Sequence, residues 1–107
     1  MIRATTPTLK ITVKDPTVDL AGADQIFATI RQDQIKVTKS GEAVTLTPPR
    51  TASVWLTQEE SLLFREGIAS VQLNWTYTDA EDGTYRRCAT VPLEVSVNEN
   101  LLPEVIT

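Results

Sequence analysis

The chain has 107 residues, 41% hydrophobic and 22% charged, with a formal net charge of −4. A domain of this size buries enough surface for a core without metal or disulfide staples, and the composition excludes wholesale disorder. Histidine is absent and Cys88 is the one cysteine, so the commonest general base is missing and neither an intrachain disulfide nor a cysteine-based zinc site can close.

No apolar run approaches the roughly 18 residues of a membrane span. The N-terminus, Met-Ile-Arg-Ala-Thr-Thr-Pro, lacks the apolar core of a signal peptide. Ten Lys and Arg spread along an acidic chain supply no basic face for nucleic acid. A reducing compartment, or a particle assembled in one, fits the cysteine usage.

In chain order, residues 8–14 alternate, with Leu9, Ile11 and Val13 on one face of a half-buried strand that Asp15-Pro16 ends. After a loop over 15–23, residues 24–32 set Ile26, Ala28 and Ile30 on one face. Residues 34–39 do the same with Ile35 and Val37. A two-residue turn at Gln32-Asp33 puts Ile30 against Ile35 and Ala28 against Val37, all on one side. Ser40-Gly41-Glu42 reads as a second turn. Residues 43–47 are a short strand stopped by Pro48-Pro49, and residues 53–56 another.

Leu56-Thr-Gln-Glu-Glu-Ser-Leu-Leu-Phe64 is the strongest helix-start signal in the chain. Thr57 caps the first turn, Glu60 reaches back to complete a capping box, and Gly67 supplies positive φ beyond the helix.

Residues 68–78 then place Ala69, Val71, Leu73, Trp75 and Tyr77 on one face. Residues 84–97 place Tyr85, Arg87, Ala89, Val91, Leu93, Val95 and Val97 on one face, across the loop Asp79-Ala-Glu-Asp-Gly83. Pairing Thr78 with Thr84 sets Tyr77 against Tyr85, puts Arg87 beside Trp75 and turns Cys88 outward. Pro92 marks an edge or a bulge. Residues 98–107 form a polar-then-apolar tail in which Pro103 disfavours helix.

About seven short strands punctuated by turns predict an all-β fold. The expected form is a small antiparallel β-sandwich, immunoglobulin-like in architecture, with one short helix near residues 58–64. A small, partly open barrel is the alternative. The Cys…Trp…Cys signature of antibody domains is absent. The expected organisation is one domain over 1–107, with a short N-terminal arm (1–7) and a C-terminal tail (98–107).

No residue set reads as a reaction centre. Asp79, Glu81 and Asp82 do not follow EF-hand spacing and suit a solvated turn before Gly83. Glu59 and Glu60 favour the helix N-terminus. Cys88 reads as an inert thiol covered by a neighbouring subunit or sheet. Trp75 belongs to the core set, whereas Trp55 alternates against Val54 and Leu56, which makes it an interface candidate. The reading therefore contains no catalytic residue, no metal, no cofactor and no small-molecule substrate.

Met1-Ile-Arg-Ala-Thr-Thr-Pro-Thr8, Leu56-Thr-Gln-Glu-Glu-Ser-Leu-Leu-Phe64 and Val71-Gln-Leu73 resemble a family of small prophage proteins from Gram-positive bacteria. Those proteins typically begin Met-Ile-Arg-Gly-Thr-Thr-Pro-Thr, carry Leu-Thr-Gln-Glu-(Asp/Glu)-Thr-Leu-Leu-Phe mid-chain, and are encoded among phage structural genes. Ala4 stands at the usual Gly and Ser61 at the usual Thr; Trp75-Thr-Tyr-Thr-Asp79 is less familiar. The order and length match over most of the chain, with specificity in the first two motifs.

The resemblance implies a non-enzymatic virion structural or assembly protein, found in the virion and in the host cytoplasm during assembly. Its implied partners are other copies of itself or other virion proteins. The expected contacts run through Trp55 and the tail residues Leu101, Leu102, Val105 and Ile106. An immunoglobulin-like ligand- or glycan-binding adhesion module is the alternative, and a prophage-encoded regulator of the host a third.

Overall fold

A computed structural model describes Met1 to Thr107. Its strands are β1 (Thr8–Thr12), β2 (Gln25–Gln32), β3 (Ile35–Ser40), β4 (Val44–Thr47), β5 (Thr51–Trp55), β6 (Gly67–Thr78), β7 (Tyr85–Ala89) and β8 (Leu93–Val97), with helix α1 (Gln58–Leu62) between β5 and β6. Strands β1-β5-β4 form a three-stranded sheet. Strands β3-β2-β6 continue into β7 and β8, which pair end to end along the same edge of β6. Every pair within the two sheets is antiparallel.

The alternating apolar sets meet between the sheets. Ile11, Val44, Ala52 and Val54 come from the smaller sheet, and Ile26, Ala28, Ile30, Val71, Leu73 and Trp75 from the larger; Leu20, Leu56 and Phe64 also join the core from outside the strands. The all-β sandwich is therefore the observed architecture.

α1 begins where the pattern places it. Thr57 Oγ1 accepts from Glu60 N at 3.1 Å, and Glu60 Oε1 accepts from Thr57 N at 2.9 Å. Lys39 Nζ also donates to Glu60 Oε1, at 2.6 Å. Lys39 lies on the core-facing side of β3 at the sheet edge, opposite Ala28. Its ammonium reaches out to the helix cap along its aliphatic stem.

Two registers differ from the sequence pattern. The β2–β3 turn is Asp33-Gln34 rather than Gln32-Asp33: Gln32 pairs with Ile35, Ile30 with Val37 and Ala28 with Lys39. Asp33 takes φ 54°, which aspartate tolerates better than most residues. Gln32 is held inside β2 because its buried amide exchanges two hydrogen bonds with the Arg65 main chain, at 2.8 and 2.7 Å.

The second difference reverses a face. Thr78 pairs with Tyr85 rather than Thr84. The loop keeps Thr84 because Asp79 Oδ1 accepts from Glu81 N and Asp82 Oδ1 from Thr84 N, both at 2.8 Å, with Gly83 at φ 71°. The one-residue slip turns Tyr85, Arg87 and Ala89 outward and brings Cys88 to the core side, opposite Trp75. Arg87 therefore bonds Asn74 on the outer face and does not stack on Trp75.

The expected strand over 84–97 is interrupted at Thr90-Val91-Pro92. Val91 bulges into solvent, 76% exposed, and the register advances by one: Asn74 pairs with Ala89, but Val71 with Leu93. That second slip returns Val95 and Val97 to the core side. Thr90 bridges the gap. Its N–H donates to Leu73 O at 2.9 Å, and its Oγ1 accepts from Leu73 N at 3.1 Å.

Three outcomes follow from these contacts. Thr57→Ala removes the N-cap and lowers stability by about 1 kcal/mol in urea unfolding. Thr90→Val leaves the Leu73 N–H inside the sheet without a partner and costs about 1–3 kcal/mol in the same measurement; equal stability would mean that the hydroxyl is not the bridge.

The third concerns pH. Burial raises the pKa of Glu60, but the bonds from Lys39 and Thr57 outweigh it and hold the carboxyl below its ordinary value. A folded pKa below the unfolded one stabilises at neutral pH and is lost as pH falls through the folded value. Parent and Glu60→Gln should therefore differ in urea midpoint at pH 7 and converge in acid; a gap independent of pH counts against the pair.

Candidate functional site

The two motif segments lie against each other. Residues 1–5 run beside the end of β8 and under α1. The Met1 amine donates to Ser96 O at 2.8 Å, Asn98 N to Met1 O at 2.7 Å and Arg3 N to Asn98 O at 3.0 Å. Ile2 and Asn98 form an isolated parallel bridge. Asn100 Nδ2 adds a bond to Arg3 O at 2.9 Å. Both chain ends thus share one short, parallel, hydrogen-bonded contact.

Arg3 closes the unit. Its Nε donates to Phe64 O at 2.6 Å and its Nη2 to Leu62 O at 3.2 Å, carbonyls that the end of a short helix leaves free. Its Nη1 pairs with Glu99 at 2.7 Å, and the Glu99 carboxyl is held below its usual range first by Arg3 and then by the Asn100 amide. One guanidinium therefore joins the arm, the helix terminus and the tail. Two further contacts tie the motifs: Ser61 Oγ donates to Thr5 O at 2.8 Å, and Leu56 N to Pro7 O at 3.0 Å. Ala4 is buried and takes φ 63°, a conformation that favours glycine.

The interface candidates fall around α1. Val54 and Leu56 are buried while Trp55 is 56% exposed. Lys39 Nζ stands 5.9 Å from the centre of the Trp55 ring, within cation–π reach. In the tail, Leu101, Leu102, Val105 and Ile106 are all exposed, Leu101 fully at 104%. The Gln58 side chain clasps the tail main chain: Nε2 donates to Ile106 O at 2.8 Å and Oε1 accepts from Ile106 N at 2.7 Å. Trp55 and the tail thus flank the same helix start, and no hydrogen bond joins them directly.

Arg3 and Gln58 are the residues that sequence reasoning missed. The cue for Arg3 was a lone cation in an otherwise uncharged arm; Gln58 carried no cue.

The other candidates take structural positions. Asp79 and Asp82 accept loop amides, with Arg86 paired to both. Glu60 is the helix cap. Cys88 lines a depression whose acids are Asp15, Asp19, Asp79 and Glu81. Those surroundings are the opposite of the cationic setting that activates a thiol.

No protein-family model, no curated protein and no solved structure matches the chain.

The clasp yields two expected outcomes. Arg3→Lys keeps a charge but not the fork, and leaves at least one of the Leu62 and Phe64 carbonyls unpaired. It should lower stability by about 1–3 kcal/mol in urea. Ala4→Gly relieves roughly 1–2 kcal/mol of left-handed strain against about 0.5–1 kcal/mol of added chain entropy. It should leave the melting temperature unchanged or raised; a clear fall would show that the Ala4 methyl packing matters more than its φ.

Proposed function

We propose that this protein is a non-enzymatic structural or assembly component of a phage particle, acting through contacts with other copies of itself or with other virion proteins. The observation that carries the reading is the tail. Four aliphatic side chains stand in water on a segment whose outer part is held by the two bonds from Gln58. Covering such side chains contributes about 1.5–3 kcal/mol each when complete. Each tether bond is worth only about 0.5–1.5 kcal/mol, so transfer of the tail to a neighbour costs little and gains apolar burial.

Ordering entropy offsets part of that gain, so tail docking works as one element of a larger contact. The exposed Trp55 ring beside the same helix supplies a further apolar surface, of the kind enriched in interface cores. The motif resemblance points the same way, because the two motif segments form the platform on which the tail sits.

Deletion of residues 101–107 tests the reading while sparing the Asn98 and Asn100 contacts to the arm. The full chain should sediment as a homo-oligomer or co-fractionate with phage particles, and the truncated chain should do neither. A truncated protein that keeps its oligomeric state and its place in particles would refute the tail as the contact.

A further inference from the structure

The outer surface of the larger sheet has a charge balance opposite to that of the whole chain. On the faces of its five strands turned away from the core, the charged residues are Arg31, Lys36 and Arg87 and one carboxylate, Glu94 of β8, opposite Ser70 at the end away from Thr76. The chain as a whole carries 14 acidic and 10 basic residues. Arg31 stands directly opposite Lys36 in the ladder, an arrangement that repels unless something neutralises it. None of the three cations joins an ion pair.

A shallow groove on this face includes Phe27, Lys36, Asn74, Tyr85 and Arg87 in its lining. Its side chains present donors. Arg87 Nε and Nη2 both donate to Asn74 Oδ1, at 3.3 and 3.1 Å. Arginine accepts nothing, so this contact turns the Asn74 NH2 outward. Tyr85 reaches across β6 to donate to Gln25 Oε1 at 2.8 Å, which leaves the Gln25 NH2 free as well. Between Gln25 and Arg87 in register lies Thr76, 8% exposed, whose hydroxyl has no partner. Buried polar atoms without partners are rare in folded proteins.

We propose that this face binds an acidic oligosaccharide. Lys36 and Arg87 take its carboxylate or sulfate groups, the Asn74 and Gln25 amides its ring oxygens, and the exposed Tyr85 ring a sugar face.

The floor strands β2 and β6 are paired on both sides. A peptide laid across them finds no backbone to extend, which is how extended peptides usually gain affinity on sheets. Three cations within an acidic chain also fall short of the electrostatic footprint of a nucleic-acid protein. A rigid polyol with a few negative charges needs only the side chains present.

The test is a titration of the full, nitrogen-15-labelled chain followed by NMR. The probes are oligogalacturonate, a heparin oligosaccharide, a neutral galactan oligomer, oligoglutamate and a single-stranded oligonucleotide. At least one of the two acidic sugars should shift the side-chain NH2 signals of Asn74 and Gln25, and do so less as salt is added. The neutral sugar should bind far more weakly. Arg87→Ala should weaken binding about tenfold, the scale of one charged hydrogen bond, with Lys36→Ala as the parallel variant. Lys10→Ala, on the other sheet, should change nothing. The proposal is overturned if neither acidic sugar moves those signals, if Arg87→Ala and Lys36→Ala both fold and bind as the parent does, or if oligoglutamate or the oligonucleotide binds as well as the sugars.

Discussion

The larger sheet takes its register from β6. This twelve-residue strand pairs with β2 along one side and with β7 and β8 along the other. Its inward set, Ala69, Val71, Leu73 and Trp75, is buried throughout, so it cannot slip by one residue without turning that set into water. The strands around it adjust instead. β7 arrives one residue out of phase because the acidic loop retains Thr84, and Thr90-Val91-Pro92 restores the phase before β8. The bulge corrects the turn: without it Val97, buried beside the start of β6, would face solvent.

A second constraint operates at the chain ends. A five-residue helix leaves more of its backbone groups without an intrahelical partner than it pairs. Short helices are marginal by themselves, so α1 depends on partners at both ends. Thr57 and Glu60 satisfy the N-terminus from within the helix. At the C-terminus the Leu63 and Phe64 amides take the Glu60 and Ser61 carbonyls, and Arg3, from outside, takes those of Leu62 and Phe64. Since Arg3 also holds Glu99, the arm, the helix and the beginning of the tail should loosen together.

Different parts of this structure were legible in the sequence to different degrees, for physical reasons. The capping box was readable because both partners lie within one turn. The β2–β3 hairpin kept its faces although its register moved, because a slip of two residues preserves parity. The β6–β7 hairpin did not, because a slip of one reverses it. That error put Tyr85 and Arg87 in the core set and Cys88 outside, and so hid the donor-rich outer face. Pro92 did announce a break, but Pro alone does not say how many residues a bulge absorbs. The contacts of Arg3, Gln32 and Gln58 were illegible for another reason. Their partners are main-chain groups 61, 33 and 48 residues away, and a carbonyl oxygen carries no residue identity for a pattern to detect.

The same geometry separates the arm–tail surface from the donor-rich groove. The joined chain ends meet β6 near Gly67, where Val97 pairs, while the donor-rich groove gathers around Asn74 and Thr76. At about 3.3 Å per residue, Gly67 and Thr76 stand roughly 30 Å apart along one strand. Trp55 and the Gln58 clasp stand nearer, around Lys39, whose chain neighbour Thr38 lines the groove. Lys39 and Thr38 face opposite sides of β3, so a contact made through Trp55 and the tail approaches from the core side and leaves the outer groove uncovered. The electrostatics agree with this division. Arg3, Lys39, Arg65 and Arg86 are committed to ion pairs, and the first two serve the helix and the ends. The cations of the outer face have no such internal role. Attachment at one end and recognition on the far face are thus compatible in a single subunit, and loss of one need not disturb the other.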